Sequence, residues 1–165
     1  MENSNQENIK GYKKGKAEKP EIAVRRAAMD FLARREHSFK ELTQKLSSRF
    51  EEENIRPALE RLRDENLQSD QRYLEAYIRF RRNKGFGPLK IEAELYPKGL
   101  GAEQVRACLY ETENDWAELC QHVMGKKFPV INKQNLKERL KCERFLLQRG
   151  FASETIKVAI NDPNT

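Results

Sequence analysis

The chain has 165 residues, of which 38% are hydrophobic and 35% charged, and a net charge of +6. That is apolar enough for a packed core and more charged than an average globular domain. No apolar run approaches the ~18 residues of a membrane span and no apolar stretch follows the first charges, so neither a transmembrane helix nor a signal peptide is expected.

Residues 1–20 hold Asn, Glu, Gly and Lys with almost no large apolar side chain, a composition expected to form a mobile basic tail. From Glu21 the pattern turns helical: Ala23, Ala27 and Phe31, with Val24, Ala28 and Leu32, share a face, and the helix is expected to stop near His37. Arg34 and Arg35 fall in its last turn, where cations complement the helix dipole. Ser38 opens a second helix with Glu41 three residues on, a capping box, and Leu42 and Leu46 form its apolar seam. A third helix carries Ile55, Leu59 and Leu62. Pro57 is tolerated there at little cost only if the helix starts no earlier than about Glu53.

A second unit opens at Ser69-Asp70, a helix-cap pair. Tyr73, Tyr77 and Phe80, with Leu74 and Ile78, make a wide apolar stripe, and Arg72, Glu75, Arg79 and Arg82 lie opposite. Gly85-Phe86-Gly87-Pro88 ends that helix, and Pro88 suits the first turn of the next, whose seam is Ile91 and Leu95. Gly99 is a C-cap candidate. A further helix is predicted from Ala102 to Glu113. The last unit begins at Asp115-Trp116 and runs to Lys127. Beyond Pro129, Asn132 is expected to cap a long helix ending at Gly150, with Leu136, Leu140 and Leu147 inside, and Ser153 to cap a short final helix. No segment alternates with period two over strand length, so no sheet is predicted.

One phrase recurs through these units. Glu53-Asn54-Ile55-Arg56-Pro57-Ala58-Leu59 is echoed by Glu103-Gln104-Val105-Arg106-Ala107-Cys108-Leu109 and by Glu154-Thr155-Ile156-Lys157-Val158-Ala159-Ile160. A fixed period signals one supersecondary unit copied three times. The boundaries read as a tail over 1–20 and three-helix repeats over 21–68, 69–113 and 114–165. Gly99-Leu100 and Gly150-Phe151 are the same joint in two copies; Arg49-Phe50 occupies it in the first, without the glycine. Arrays present long surfaces that follow other long objects, which points to a binder rather than an enzyme.

Chemistry-bearing motifs are sparse. Gly85-x-Gly87 lacks the preceding strand and the Lys-Ser or Lys-Thr pair of a phosphate loop, and reads as a helix–helix turn whose glycines permit a backbone that a Cβ would disfavour. Cys108, Cys120 and Cys142 are far apart with no CxxC pair, which fits reduced core thiols in a cytoplasmic protein. On a helix Cys120 and His122 diverge by about 200°, so they do not make a metal pair. His37, beside the Ser38 cap, reads as a surface residue. Nothing pairs a nucleophile with a base, so no catalytic residue, metal or cofactor is predicted. The strongest charge signal is Arg79, Arg81, Arg82, Lys84 and Lys90, with no acid between the first and the last. Basic residues also recur at Arg56, Arg106 and Lys157, one per copy. Spread basic charge fits a long anionic partner.

Residues 22–161 resemble the RecX regulatory family. The match runs through Arg25-Arg26-Ala27-Ala28 and Leu32-Ala33-Arg34-Arg35-Glu36-His37-Ser38. It is strongest through Ser69-Asp70-Gln71-Arg72-Tyr73, Tyr77-Ile78-Arg79, Gly85-Phe86-Gly87-Pro88, Glu94-Leu95 and Lys98-Gly99-Leu100. Lys137 to Phe151 is the best part of the last third. Pro97 departs from the pattern and puts the local joint geometry in question. The resemblance implies an all-α protein of three tandem three-helix repeats in an elongated, curved modular array. It also implies a non-enzymatic, cytoplasmic, monomeric regulator that binds the RecA filament on DNA and inhibits ATP hydrolysis and strand exchange. The family has no catalytic residues to transfer; Arg72, Arg79, Arg82, Lys84 and Lys90 are the candidate contacts to filament or DNA. The alternative is a helical-repeat protein that binds nucleic acid on its own.

Overall fold

The computed structural model describes residues 19–111, 115–132 and 134–161, and these contain helices and no strand. The tail expected over 1–20 lies outside the described residues except for Lys19 and Pro20. Among the described residues nine α-helices follow in chain order: α1 Pro20–Leu32, α2 Phe39–Leu46, α3 Glu52–Asp64, α4 Asp70–Asn83, α5 Pro88–Leu95, α6 Ala102–Arg106, α7 Trp116–Lys127, α8 Leu136–Gln148 and α9 Ser153–Asn161.

They gather around three separate cores. Val24, Ala28, Leu42, Leu46, Ile55 and Leu59 belong to the first, with α1, α2 and α3 around it. Tyr73, Leu74, Ile78, Ile91, Leu95 and Leu109 belong to the second. Cys120, Met124, Cys142, Leu146, Phe151 and Ile160 belong to the third. The recurring phrase supplies the same corner of each core: Ile55, Val105 and Ile156 are buried, as are Leu59, Leu109 and Ile160. Its basic member points outward in every copy and is paired locally, Arg56 with Glu60, Arg106 with Glu92 and Lys157 with Glu154. Cores this small stabilise a unit only marginally, so the joints between them matter. All three cysteines are buried, and burial pushes the Cys120 thiol up to about 12.

Capping residues set most helix starts. The Ser38, Ser69 and Asp115 side chains accept from the backbone N–H groups of Glu41, Arg72 and Glu118. The second half of the Ser38 box is not made, because Glu41 turns to Arg35 and His37 instead. Pro88 stands at the first position of α5, as its fixed φ allows.

Several expectations are corrected. Helix α1 ends at Leu32, so Arg35 lies beyond its last turn and bonds Glu41 at 2.6 Å, while Arg25 reaches Glu65 on the chain after α3. His37 is not a surface residue but only 3% exposed, with Nδ1 3.1 Å from Glu41 and its ring edge-on to Phe31. Helix α3 begins at Glu52, so Pro57 sits inside it and forgoes a hydrogen bond there. Helix α6 widens at Ala107 into a π-helical stretch through Glu111, and the end expected at Glu113 lies outside the described residues. Asn135, not Asn132, caps α8, and its oxygen takes the N–H groups of Lys137 and Glu138. Leu136, Leu140 and Leu147 are exposed; Cys142 and Leu146 face the core. Ser153 is the first residue of α9 rather than its cap. Pro97 ends α5 early: Tyr96–Lys98 form a 3₁₀ turn before Gly99 turns left-handed at φ +79.

Candidate nucleic-acid interface

Two joints link the three cores: the first joins the start of α2 to the start of α4 and the segment after α5, and the second joins the start of α5 to the end of α8. At the first joint, the Ser38 hydroxyl at the start of α2 donates to the Lys98 carbonyl after α5, at 3.0 Å. The Phe39 N–H donates to Asp70 at 2.8 Å, and Gln68 donates to both Asp70 and the His37 carbonyl. Arg72 closes the joint by reaching Glu36, Asn66 and the Leu67 carbonyl.

The second joint is backbone on backbone. The first-turn donors of α5 lack intrahelical partners, and so do the last carbonyls of α8. Here they meet: Gly87 N–H donates to the Arg149 carbonyl at 2.8 Å and Leu89 N–H to the Gly150 carbonyl at 3.0 Å. Gly87 has an ordinary φ of −85, so its role is space, not conformation. A Cβ there would stand 2.5 Å from the Gly150 oxygen. Gly150 needs both freedoms, with φ +87 and a Cβ that would meet Lys90 at 2.4 Å. Phe50 occupies the matching place in the first repeat by an ordinary bond to the Leu46 carbonyl, with no left-handed residue.

Beside the second joint, α4, α7 and α8 enclose a cleft of about 600 Å³. Its charged side chains are Arg82, Lys84, Lys126, Lys127 and Arg149, with His122 among them, and no described carboxylate lines it. The Arg82 guanidinium lies 5.2 Å from the Trp116 ring, with Nε buried and without a hydrogen-bond partner. Trp116 is held in turn by its indole N–H on the Leu109 carbonyl at 2.8 Å. Arg149 donates to the Lys84 carbonyl at 2.8 Å and stacks between Phe86 and Phe145. Clustered cations without counter-charges repel one another, and an anion entering the cleft relieves that cost. The arrangement suits phosphate groups.

The five residues proposed from sequence scatter. Arg82 and Lys84 line the cleft. Arg79 is exposed in a neighbouring groove that also holds Glu75 and Glu111. Arg72 is spent on the first joint. Lys90 lies against Gly150 with its ammonium 5.1 Å from the Phe86 ring. Arg81 also belongs to the scaffold, paired with Glu94 and stacked on Phe86. Sequence reasoning missed Lys126, Lys127 and Arg149. The one local signal was the Lys126-Lys127 pair at the end of α7; only the docking at Gly150 brings these residues to α4.

Three helical cores joined in sequence, with a cationic cleft beside the second joint, define an all-α tandem-repeat protein. Matches to known proteins agree. Models of the first, second and third three-helix domains of RecX match residues 25–62, 69–109 and 113–160. "Regulatory protein RecX" of Pseudomonas entomophila (strain L48) is 47% identical over 136 residues, covering 82% of this chain and 88% of that protein. Its counterpart in Pseudomonas putida (strain GB-1) is 44% identical, over 82% and 87%. The chain belongs to the RecX family. The crystal structure of RecX from Lactobacillus salivarius superposes with a TM-score of 0.73 at 24% identity, over 86% of this chain and 94% of that one. A second RecX crystal structure gives 0.75 at 24% identity, over 87% and 74%. These two likenesses bear on the fold alone. Among the described residues, no helix is long and apolar enough to cross a membrane.

Proposed function

We propose that this chain is a non-enzymatic regulator that binds the RecA filament on DNA and slows its ATP hydrolysis and strand exchange. It acts as a cytoplasmic monomer through three working units, 21–68, 69–113 and 114–165. Membership of a family of regulatory proteins supports the regulatory part. The observation that carries the nucleic-acid part is the cleft of five cations with no described carboxylate. Phosphate contacts of this kind add affinity without reading sequence, and they weaken with salt.

The test is a titration of purified protein into RecA hydrolysing ATP on single-stranded DNA. Hydrolysis slows at substoichiometric dose, the filaments shorten, and the protein alone hydrolyses nothing. Unchanged hydrolysis and unchanged filament length contradict the proposal. The competing reading, a protein that binds DNA by itself, rests on the same cleft. It requires tight DNA binding without RecA at physiological salt, whereas binding that is micromolar and salt-labile leaves DNA contact as an accessory property.

A further inference from the structure

Helix α4 joins two concave surfaces. Tyr73, Tyr77, Phe80 and Lys84 are spaced at i, i+4, i+7 and i+11 and so share one face of it. At its N-terminal end this face floors a groove of about 420 Å³ beside the first joint, with Arg35 and Lys98 on the walls. At its C-terminal end it reaches the cationic cleft through Lys84. The two carboxylates of the groove are already engaged, Glu36 by Arg72 and Glu41 by Arg35. The tyrosines are fixed. Their ring centroids lie 5.9 Å apart, Tyr73 is buried with its hydroxyl pushed up to about 12 by desolvation, and Tyr77 donates to Glu94 at 3.0 Å.

Phe80 differs from both. It is 55% exposed at the groove, and the Lys84 ammonium stands 5.7 Å from its ring. A large aromatic left in water beside a cation that also lines a phosphate-type cleft matches the two needs of an unpaired nucleotide: a flat apolar surface for the base and a positive charge for its phosphate. An aliphatic partner would gain from the ring but not from Lys84 beside it or Lys98 on the groove wall.

We infer that Phe80 is a stacking platform for an unpaired base of single-stranded nucleic acid, whose neighbouring phosphates run past Lys84 into the cleft. The inference rests on the phosphate reading of the cleft, and not on RecA.

The test is the anisotropy of a labelled single-stranded oligonucleotide, measured at low salt with the full chain. Phe80→Leu weakens binding at least about fivefold, and Phe80→Trp restores it. An abasic oligonucleotide and a duplex bind Phe80→Leu and the parent alike. Unchanged melting of Phe80→Leu shows that the exposed site tolerates the change. The inference is overturned if Phe80→Leu keeps full affinity, if it loses as much on the abasic strand, or if the parent binds no single strand. It is overturned as well if Phe80→Leu loses filament inhibition while oligonucleotide binding is intact, since the groove then takes a protein side chain. Lys126→Glu/Lys127→Glu separates the two readings. If that variant loses oligonucleotide binding and Phe80→Leu does not, the cleft reading stands and the platform falls. If both lose it while RecA hydrolysis ignores the parent protein, the platform stands and the filament reading falls.

Discussion

The two joints solve one problem in opposite ways. The first spends side chains: Ser38, Gln68, Asp70 and Arg72 tie the repeats together, and Arg72 is neutralised by Glu36 in doing so. The second spends backbone, through Gly87 and Gly150, and leaves Arg82, Lys84, Lys126 and Lys127 facing the cleft. A joint made of peptide groups frees its charged side chains for a partner. The glycines therefore serve the site as well as the fold.

Breaking the backbone joint has the largest expected effect. Gly150→Ala combines left-handed strain with a Cβ 2.4 Å from Lys90, and we expect a loss of roughly 3 kcal/mol in urea denaturation. Gly101→Ala, whose nearest neighbour is 3.8 Å away, stays close to the parent. Equal losses at the two glycines would contradict the close backbone approach. Breaking the side-chain joint costs less. Asp70→Ala strands the Phe39 N–H and the Gln68 amide, for about 1–3 kcal/mol in the same measurement. Hydrogen exchange places that loss in α2 and α4 rather than α8.

A smaller effect separates the joints by pH. Burial, with Arg35 nearby, lowers the His37 pKa in spite of Glu41. The unfolded chain then takes the proton first, so stability is full above His37's unfolded value of about 6.5 and declines as pH falls below it. Glu41 is held below its usual range by Arg35 against the opposing effect of burial, and its contribution is lost only in stronger acid, below about 4.5. Melting curves between pH 7.5 and about 5.5 should therefore slope for the parent and flatten for His37→Gln. A slope that survives the substitution assigns the effect elsewhere.

The fold was largely legible because apolar spacing and caps agreed in most helices. It failed where one helix carried two apolar stripes: in α8 the exposed Leu136, Leu140 and Leu147 outcompeted Cys142 and Leu146 as a pattern. His37 was misread because nothing local shows that Phe31 and Glu41 close over it. The site was half legible. Arg82 and Lys84 stood in an acid-free run, but Arg149 meets Lys84 across 65 positions, through a joint whose geometry depends on two glycines. Lys90 shares that run and Arg72 came only from the family resemblance, yet the charges of both are used inside the molecule.

The most direct test of the cleft compares two charge reversals of equal size. RecA ATP hydrolysis on single-stranded DNA is titrated with Lys126→Glu/Lys127→Glu, and with Arg56→Glu/Lys157→Glu as the control away from the cleft. The cleft variant should need on the order of tenfold more protein for the same inhibition, while the control matches the parent. Equal loss in both variants, or in neither, would contradict the assignment of the contact to the cleft.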